Sequence, residues 1–192
     1  MPESVQDTVR THLDHGRACL DKRKYDDAIA DYTKAIALDP NVATAYTHRG
    51  LAYGRKGEVD RAIADYDKAI ALNSYDATAY YNRGLAYARK GAFDRAIADF
   101  DKAIALNPND ATAYSNRAGT YLKWGKSDLG LPDAERAVEL APDTLATLCI
   151  RGQIYAALGR REEAITDLQK AVSIAPENKE SREALKRLGV TR

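Results

Sequence analysis

His12 and His15 stand three residues apart on a stretch with helical periodicity, a spacing that lets two imidazoles reach one metal ion. Two ligands without a nearby third are a weak signal for a metal. Both positions also belong to a packing pattern that runs through the whole chain. We therefore read them as packed side chains and expect no metal. His48, the third histidine, stands alone on the next such stretch, off those packing slots. There is no Walker-type phosphate loop, no HExxH and no CxxC pair. The many Asp and Glu fall on the polar sides of helical stretches, where a salt-bridged surface is their ordinary meaning. No nucleophile, base and orienting group share a face. The expectation is a chain with no catalytic residue, no cofactor and no enzymatic activity.

The totals narrow the partners. The chain has 29 Lys+Arg against 28 Asp+Glu, a net charge of +1, with 45% hydrophobic and 30% charged residues. No global field draws it to nucleic acid or to an anionic membrane. Cys19 and Cys149 stand four repeats apart, so an intrachain disulfide is not expected, and this usage permits a reducing compartment. The start, MPESVQDTVRTHLDHG, lacks the apolar run of a signal peptide, and no stretch approaches the length of a membrane span. A cytoplasmic location is the expectation.

The side chains are positioned by a period of 34 residues. Gly16, Gly50, Gly84 and Gly152 share one lattice, on which Ala118 fills the remaining place. Ala28, Ala62, Ala96 and Ala164 share another, and Pro40, Pro108, Pro142 and Pro176 a further one. A fixed period of this length means a stack of small similar units. The units run 9–42, 43–76, 77–110, 111–144 and 145–178, with an N-terminal extension at 1–8 and a capping helix and tail at 179–192. Each holds two apolar-periodic segments parted by a break. In the third, Ala77 to Arg89 and Phe93 to Leu106 are separated at Lys90-Gly91, and Asn107-Pro108-Asn109 ends the second. Each unit is thus a helix hairpin. Glycine inside a helix costs roughly 1 kcal/mol relative to alanine. Its return at slot 8 implies close approach of the paired helix, with the small Ala of slots 20 and 27 expected on the other side. Residues 179–188 form a polar helix with Ala184, Leu185 and Leu188 as its apolar edge, and Gly189 stops it.

These residues resemble the tetratricopeptide repeat. In the third unit Tyr80, Gly84, Tyr87, Gly91, Ala96, Phe100, Ala103 and Pro108 fall on the family's slots, and the resemblance spans 9–178. It implies an all-α fold, an α-solenoid in which five helix hairpins and a C-terminal capping helix wind into a right-handed superhelix. It also implies a concave groove lined by the first helix of each hairpin and a role in binding proteins or peptides. The chain departs from the family at slot 7, where Arg49, Arg83, Arg117 and Arg151 replace a leucine-like residue. Slot 23 carries Asp31, Asp65, Asp99, Asp133 and Asp167. An unpaired charge on a packed side is expensive, so Arg–Asp pairs are expected along the array. The fourth unit carries Gly130 at slot 20 and Pro132 at slot 22. Its second helix is expected to start near Asp128 or Leu129, so that Pro132 lies in the first turn.

The resemblance places the peptide-binding face on Thr44, His48 and Arg55 of the second unit. It continues on Thr78, Tyr81, Asn82, Leu85 and Arg89 of the third, and on Thr112, Asn116 and Lys123 of the fourth. Hydroxyls, amides, an apolar strip and cations form parallel rows there. Asparagine both donates to and accepts from a peptide backbone, as in the asparagine ladders of peptide-gripping members, and the cations favour an acidic or carboxylate-bearing ligand. The member that clamps a chaperone's C-terminal carboxylate needs Lys and Arg at slots where this chain has Thr78 and Asn82, or Thr112 and Asn116, so that ligand is disfavoured. The resulting expectation is a non-enzymatic adaptor or scaffold that grips an extended peptide. One rival is a module that self-associates as a homo-oligomer through its end units or convex face. Another is the targeting arm of an enzyme on another chain.

Overall fold

The computed structural model describes residues 4–190; the first three residues of the expected N-terminal extension and the last two of the tail lie outside them. Among the described residues there are eleven helices and no strand. They group into two compact halves, one running to Ala92 and the other from Phe93. The first half holds α1 (Val5–Asp21), α2 (Tyr25–Leu38), α3 (Ala43–Lys56), α4 (Val59–Leu72) and α5 (Ala77–Arg89). The second holds α6 (Phe93–Leu106), α7 (Ala111–Lys123), α8 (Ser127–Leu140), α9 (Leu145–Ala157), α10 (Arg161–Ile174) and α11 (Lys179–Arg187). Within each half α1 packs on α2, α3 on α4, α7 on α8 and α9 on α10, and successive hairpins pack on one another. No described helix is long and apolar enough to cross a membrane.

The first helix starts at Val5, four residues before the first repeat. Ser4 caps it, accepting from the Asp7 backbone N–H at 3.1 Å while the Asp7 carboxylate takes the Ser4 N–H in return. The turn inside each hairpin needs a left-handed residue. Gly57, Gly91, Gly125 and Gly159 supply it at φ 74–83°. The first repeat puts Arg23 there, at φ 57°, against the ordinary preference of a side-chain-bearing residue.

The slot-8 glycine faces the large side chain at slot 24 more closely than the alanines that the sequence pattern suggested. A Cβ on Gly16 would lie 2.9 Å from the Tyr32 ring. One on Gly152 would lie 2.8 Å from Leu168 Cγ, with the Ala164 carbonyl beyond at 3.3 Å. The fourth repeat explains its own exception. Slot 24 is Ala134, so Ala118 fits opposite it, and both are fully buried beside Ile154. With no ring to hold the helices apart, the need for glycine moves to slot 20. There a Cβ on Gly130 would meet the Ala118 carbonyl and Tyr121 Cβ, each at 3.0 Å.

Tyr32 is 1% exposed and its hydroxyl finds no partner among the described residues. Burial pushes its pKa up to about 12. A buried hydroxyl without a hydrogen bond is a standing cost. Tyr32→Phe, the residue type that the third repeat carries at this slot as Phe100, should therefore stabilise the chain by about 1 kcal/mol. Chemical denaturation checks it, and a loss of stability would mean that the hydroxyl has a role.

Pro132 lies deeper in its helix than expected. α8 begins at Ser127 and runs through Pro132 as its sixth residue, past the first turn. Proline carries no N–H, so the helical bond it would make is missing. Pro132 is exposed, which lets solvent serve the orphaned carbonyl. Residues 127–137 should exchange their amide hydrogens faster than 93–105, and equal protection in the two segments would refute a weak joint at Pro132.

α11 covers the end of the stack. Asn178 caps it, accepting from the Ser181 N–H at 2.8 Å; Leu185 is buried, and Gly189 ends it at φ 78°. Arg161 donates to the Leu188 carbonyl at 2.6 Å and so fixes its far end.

Candidate peptide-binding face

The arginines of slot 7 are pinned away from solvent by charge pairs. Arg49 donates from Nε and Nη2 to both oxygens of Asp65 at 2.8 Å, and Arg151 holds Asp167 the same way at 2.7 and 2.8 Å. Arg117 grips Asp133 at 2.6 Å through both nitrogens and reaches Asp101 of the preceding repeat with its third. Arg83 reaches the equivalent Asp67 at 2.6 Å. The guanidinium carbons also sit over tyrosine rings, 5.6 Å from the Tyr46 centroid for Arg49 and 5.8 Å from that of Tyr114 for Arg117. The hydrogen bonds to Asp65 raise the pKa of Arg49 above its ordinary value. At Arg117 burial opposes the charge, but Asp133 and Asp101 outweigh it and raise the pKa. One fork thus joins the two helices of its own hairpin, and its remaining nitrogen ties that hairpin to the one before. The second tie was not visible in the slot pattern, which paired slot 7 with slot 23 alone.

The first repeat has no arginine at this slot. Asp31, 7% exposed, instead meets His12 Nδ1 at 3.0 Å and His15 Nδ1 still closer. Burial works against its charge, but the hydrogen bonds from His15 and His12 hold its pKa below the ordinary carboxylate value. His12 is packed, as expected from its slot, whereas the His15 side chain stays 65% exposed. Cys19, buried on the same helix, joins them.

With slot 7 occupied in this way, the opposite side of the first helices is left for a ligand. In the first half Leu51, Arg55, Tyr66, Asn82, Leu85 and Arg89 line one cleft on α3, α4 and α5. Arg89 donates from Nη1 to the Gly54 carbonyl at 3.1 Å, near the C-terminal end of α3, where a cation is favoured. A second cleft shares Leu51 and Arg55 and adds Arg17, Arg23, Tyr25 and His48, with Asp21 as its single carboxylate. The cation row is therefore longer than the sequence suggested. Arg17 and Arg23 belong to it, and the signal that pointed to Arg23 was its place on a glycine slot. Thr44 and Thr78 are exposed on this side. Tyr81 and Asn82 are half-buried.

Two rows are less available than their slots implied. Thr47 is 4% exposed and donates to Asp76 at 2.7 Å, and Ser115 and Cys149 of the same slot are buried too. The slot-5 hydroxyl row is therefore a packing row. Each amide also spends one N–H on its own helix: Asn82 donates to the Thr78 carbonyl and Asn116 to the Thr112 carbonyl, both at 2.9 Å. Asn82 keeps a second N–H and a carbonyl oxygen for other contacts. His48 stacks on Tyr32, with centroids 5.6 Å apart, and donates from Nδ1 to the Thr44 carbonyl at 2.8 Å.

In the second half Thr112 and Lys123 are exposed and Asn116 half-buried along α7. The fifth repeat offers less, because α11 occupies it. Gln153 donates to Glu180 at 2.9 Å, and burial pushes up the pKa of the Cys149 thiol there.

Four family models match successive stretches of the chain. Those described as tetratricopeptide repeat match 47–111, 100–131 and 145–178, and one described as TPR repeat matches 16–57. No curated protein matches. Among solved structures, MamA protein is similar at 26% identity over 97% of this chain and 98% of its own, with a TM-score of 0.76. YrrB, described as a TPR protein with an unusual peptide-binding site, is similar at 25% identity over 91% and 90%, with a TM-score of 0.75. PilF of Pseudomonas aeruginosa reaches a TM-score of 0.85 over 96% and 84% at 18% identity, which speaks for the fold alone. The fold is all-α and of the α-solenoid class. Glycine against a large slot-24 side chain, alanine against alanine, a hairpin turn at slot 15 of each repeat and the matching family models place this chain in the tetratricopeptide repeat family.

Proposed function

We propose that the chain is an adaptor that binds an extended, acidic peptide segment on the first-helix face of its N-terminal half. Tetratricopeptide repeats are in general non-catalytic protein-interaction modules. The observation that carries the finer reading is the adjoining pair of clefts in which Leu51 and Leu85 supply apolar floor while Arg17, Arg23, Arg55 and Arg89 stand around them. Apolar floor binds alternate side chains of an extended strand, and Asn82 meets its backbone. The guanidinium groups select carboxylates. The likeness to YrrB, itself described as having a peptide-binding site, supports the same reading. In the second half, Thr112, Asn116 and Lys123 repeat the pattern along α7.

The test uses an extended Asp/Glu-rich peptide and its Asn/Gln counterpart, followed by fluorescence anisotropy across ionic strength. The acidic peptide should bind tighter and lose affinity as salt rises. The triple change Arg55→Ala, Arg89→Ala and Lys123→Ala should weaken it roughly tenfold, close to the lower end for one charge-assisted hydrogen bond, and flatten its salt dependence. Equal affinity for both peptides, or unchanged affinity in the triple variant, removes the cation row from the reading. A molar mass that rises with concentration in light scattering would favour self-association instead.

A further inference from the structure

The first repeat departs from the others at three slots together. Slots 4, 7 and 11 read Tyr46, Arg49, Tyr53 in the second repeat and Tyr114, Arg117, Tyr121 in the fourth; in the first they read His12, His15, Cys19. All three replacements are metal-ligand types, and all face the slot-23 carboxylate, here Asp31. We propose that His15, Cys19 and Asp31 form a binding site for a borderline-soft divalent cation, best matched by Zn2+.

The geometry is nearly that of a formed site. His15 and Cys19 lie one helical turn apart on α1, and α2 brings Asp31 across to them. One donor atom from each lies within 4.8 Å of the other two, and Cys19 Sγ is 3.9 Å from His15 Nδ1. A tetrahedral ion with Zn–N, Zn–O and Zn–S bonds of about 2.0–2.3 Å holds its ligands roughly 3.3–3.8 Å apart. Small side-chain rotations therefore suffice. His12 bonds the other oxygen of Asp31 at 3.0 Å and acts as a positioning residue that aims the carboxylate. The fourth coordination place is left to water, and the His15 side chain, 65% exposed, marks the way in.

The charge and chemistry agree. A thiolate and a carboxylate neutralise the two charges of the ion, so Asp31 and Cys19, both buried, would not be left with an unbalanced charge. On binding, the Cys19 S–H proton leaves to solvent, and the imidazole of His15 stays neutral with its proton on Nε2, so that Nδ1, the thiolate and the Asp31 carboxylate form the Zn–N, Zn–S and Zn–O bonds. Nothing is oxidised. The sulfur ligand disfavours Mg2+ and Ca2+, which take oxygen. In the second, fourth and fifth repeats a guanidinium satisfies the same aspartate; an imidazole has a shorter reach and a lone pair to offer.

The test titrates Co2+ into the full chain, free of any polyhistidine tag and kept reduced. A thiolate-to-cobalt charge-transfer band saturating at one ion per chain is expected, with the cobalt then displaced by Zn2+. Cys19→Ser should abolish the band, whereas Cys149→Ser should leave it intact. His15→Gln, at an exposed side chain, should keep the helical signal and weaken Zn2+ binding tenfold or more. His12→Gln should weaken it less while keeping the band. No band in the native chain, a band that follows Cys149, or unchanged Zn2+ affinity in His15→Gln would each overturn the proposal.

Discussion

Arg117→Met should lower the stability of the C-terminal half by about 3 kcal/mol, because it strips a buried aspartate of its counter-charge. Asp133 is 7% exposed and both of its oxygens rest on Arg117. Asp101 loses the same guanidinium, but it stands in solvent and suffers little. The expectation sits at the low end for a broken buried pair because Arg117 keeps 18% exposure. The double variant Arg117→Met with Asp133→Leu should recover most of the loss, since no charge is then buried alone. Trp124, the single tryptophan, lies in this half and reports its urea unfolding. A single variant as stable as the native chain, or a double variant weaker than the single, would show that the pair does not act in this way.

The pairing was legible in the sequence because both partners recur on one lattice. Slot 7 and slot 23 stay sixteen residues apart in repeat after repeat, and a helix hairpin folds that distance back on itself. The hairpins were legible for the same reason, since period and break repeat together. What the period could not give was direction across the crossing of two helices. It assigned the glycines to the alanines, whereas the rings of Tyr32 and Tyr66 press on Gly16 and Gly50. It could not show that the Thr47 hydroxyl, one residue before His48, turns inward to Asp76. Asp31 stayed unconnected to His12, His15 and Cys19 because their meeting depends on how α1 lies against α2. Arg23 stands where the other repeats carry glycine, but its place beside Arg55 became visible only with the turn in three dimensions.

Two glycines one turn apart on α3 should answer the same substitution with opposite signs. A Cβ on Gly50 would stand 2.7 Å from Tyr66 Cε1 and 3.2 Å from the Ala62 carbonyl. Tyr66 is 2% exposed, so its ring has nowhere to retreat. A Cβ on Gly54 would meet Tyr66 and Ala62 at 3.7 and 3.8 Å, which is ordinary contact. Alanine gains about 1 kcal/mol over glycine inside a helix at either place. At Gly50 overpacking, about 1–3 kcal/mol and here towards or beyond its upper end, should outweigh that gain and leave Gly50→Ala destabilised by about 2 kcal/mol. At Gly54 nothing opposes the gain, so Gly54→Ala should be more stable than the native chain by up to about 1 kcal/mol. Urea denaturation followed by circular dichroism compares them. If both variants gained stability, the ring would not be what requires glycine at slot 8. If both lost it, propensity would have no say in this helix, and the swap of Ala118 and Gly130 in the fourth repeat would need another cause.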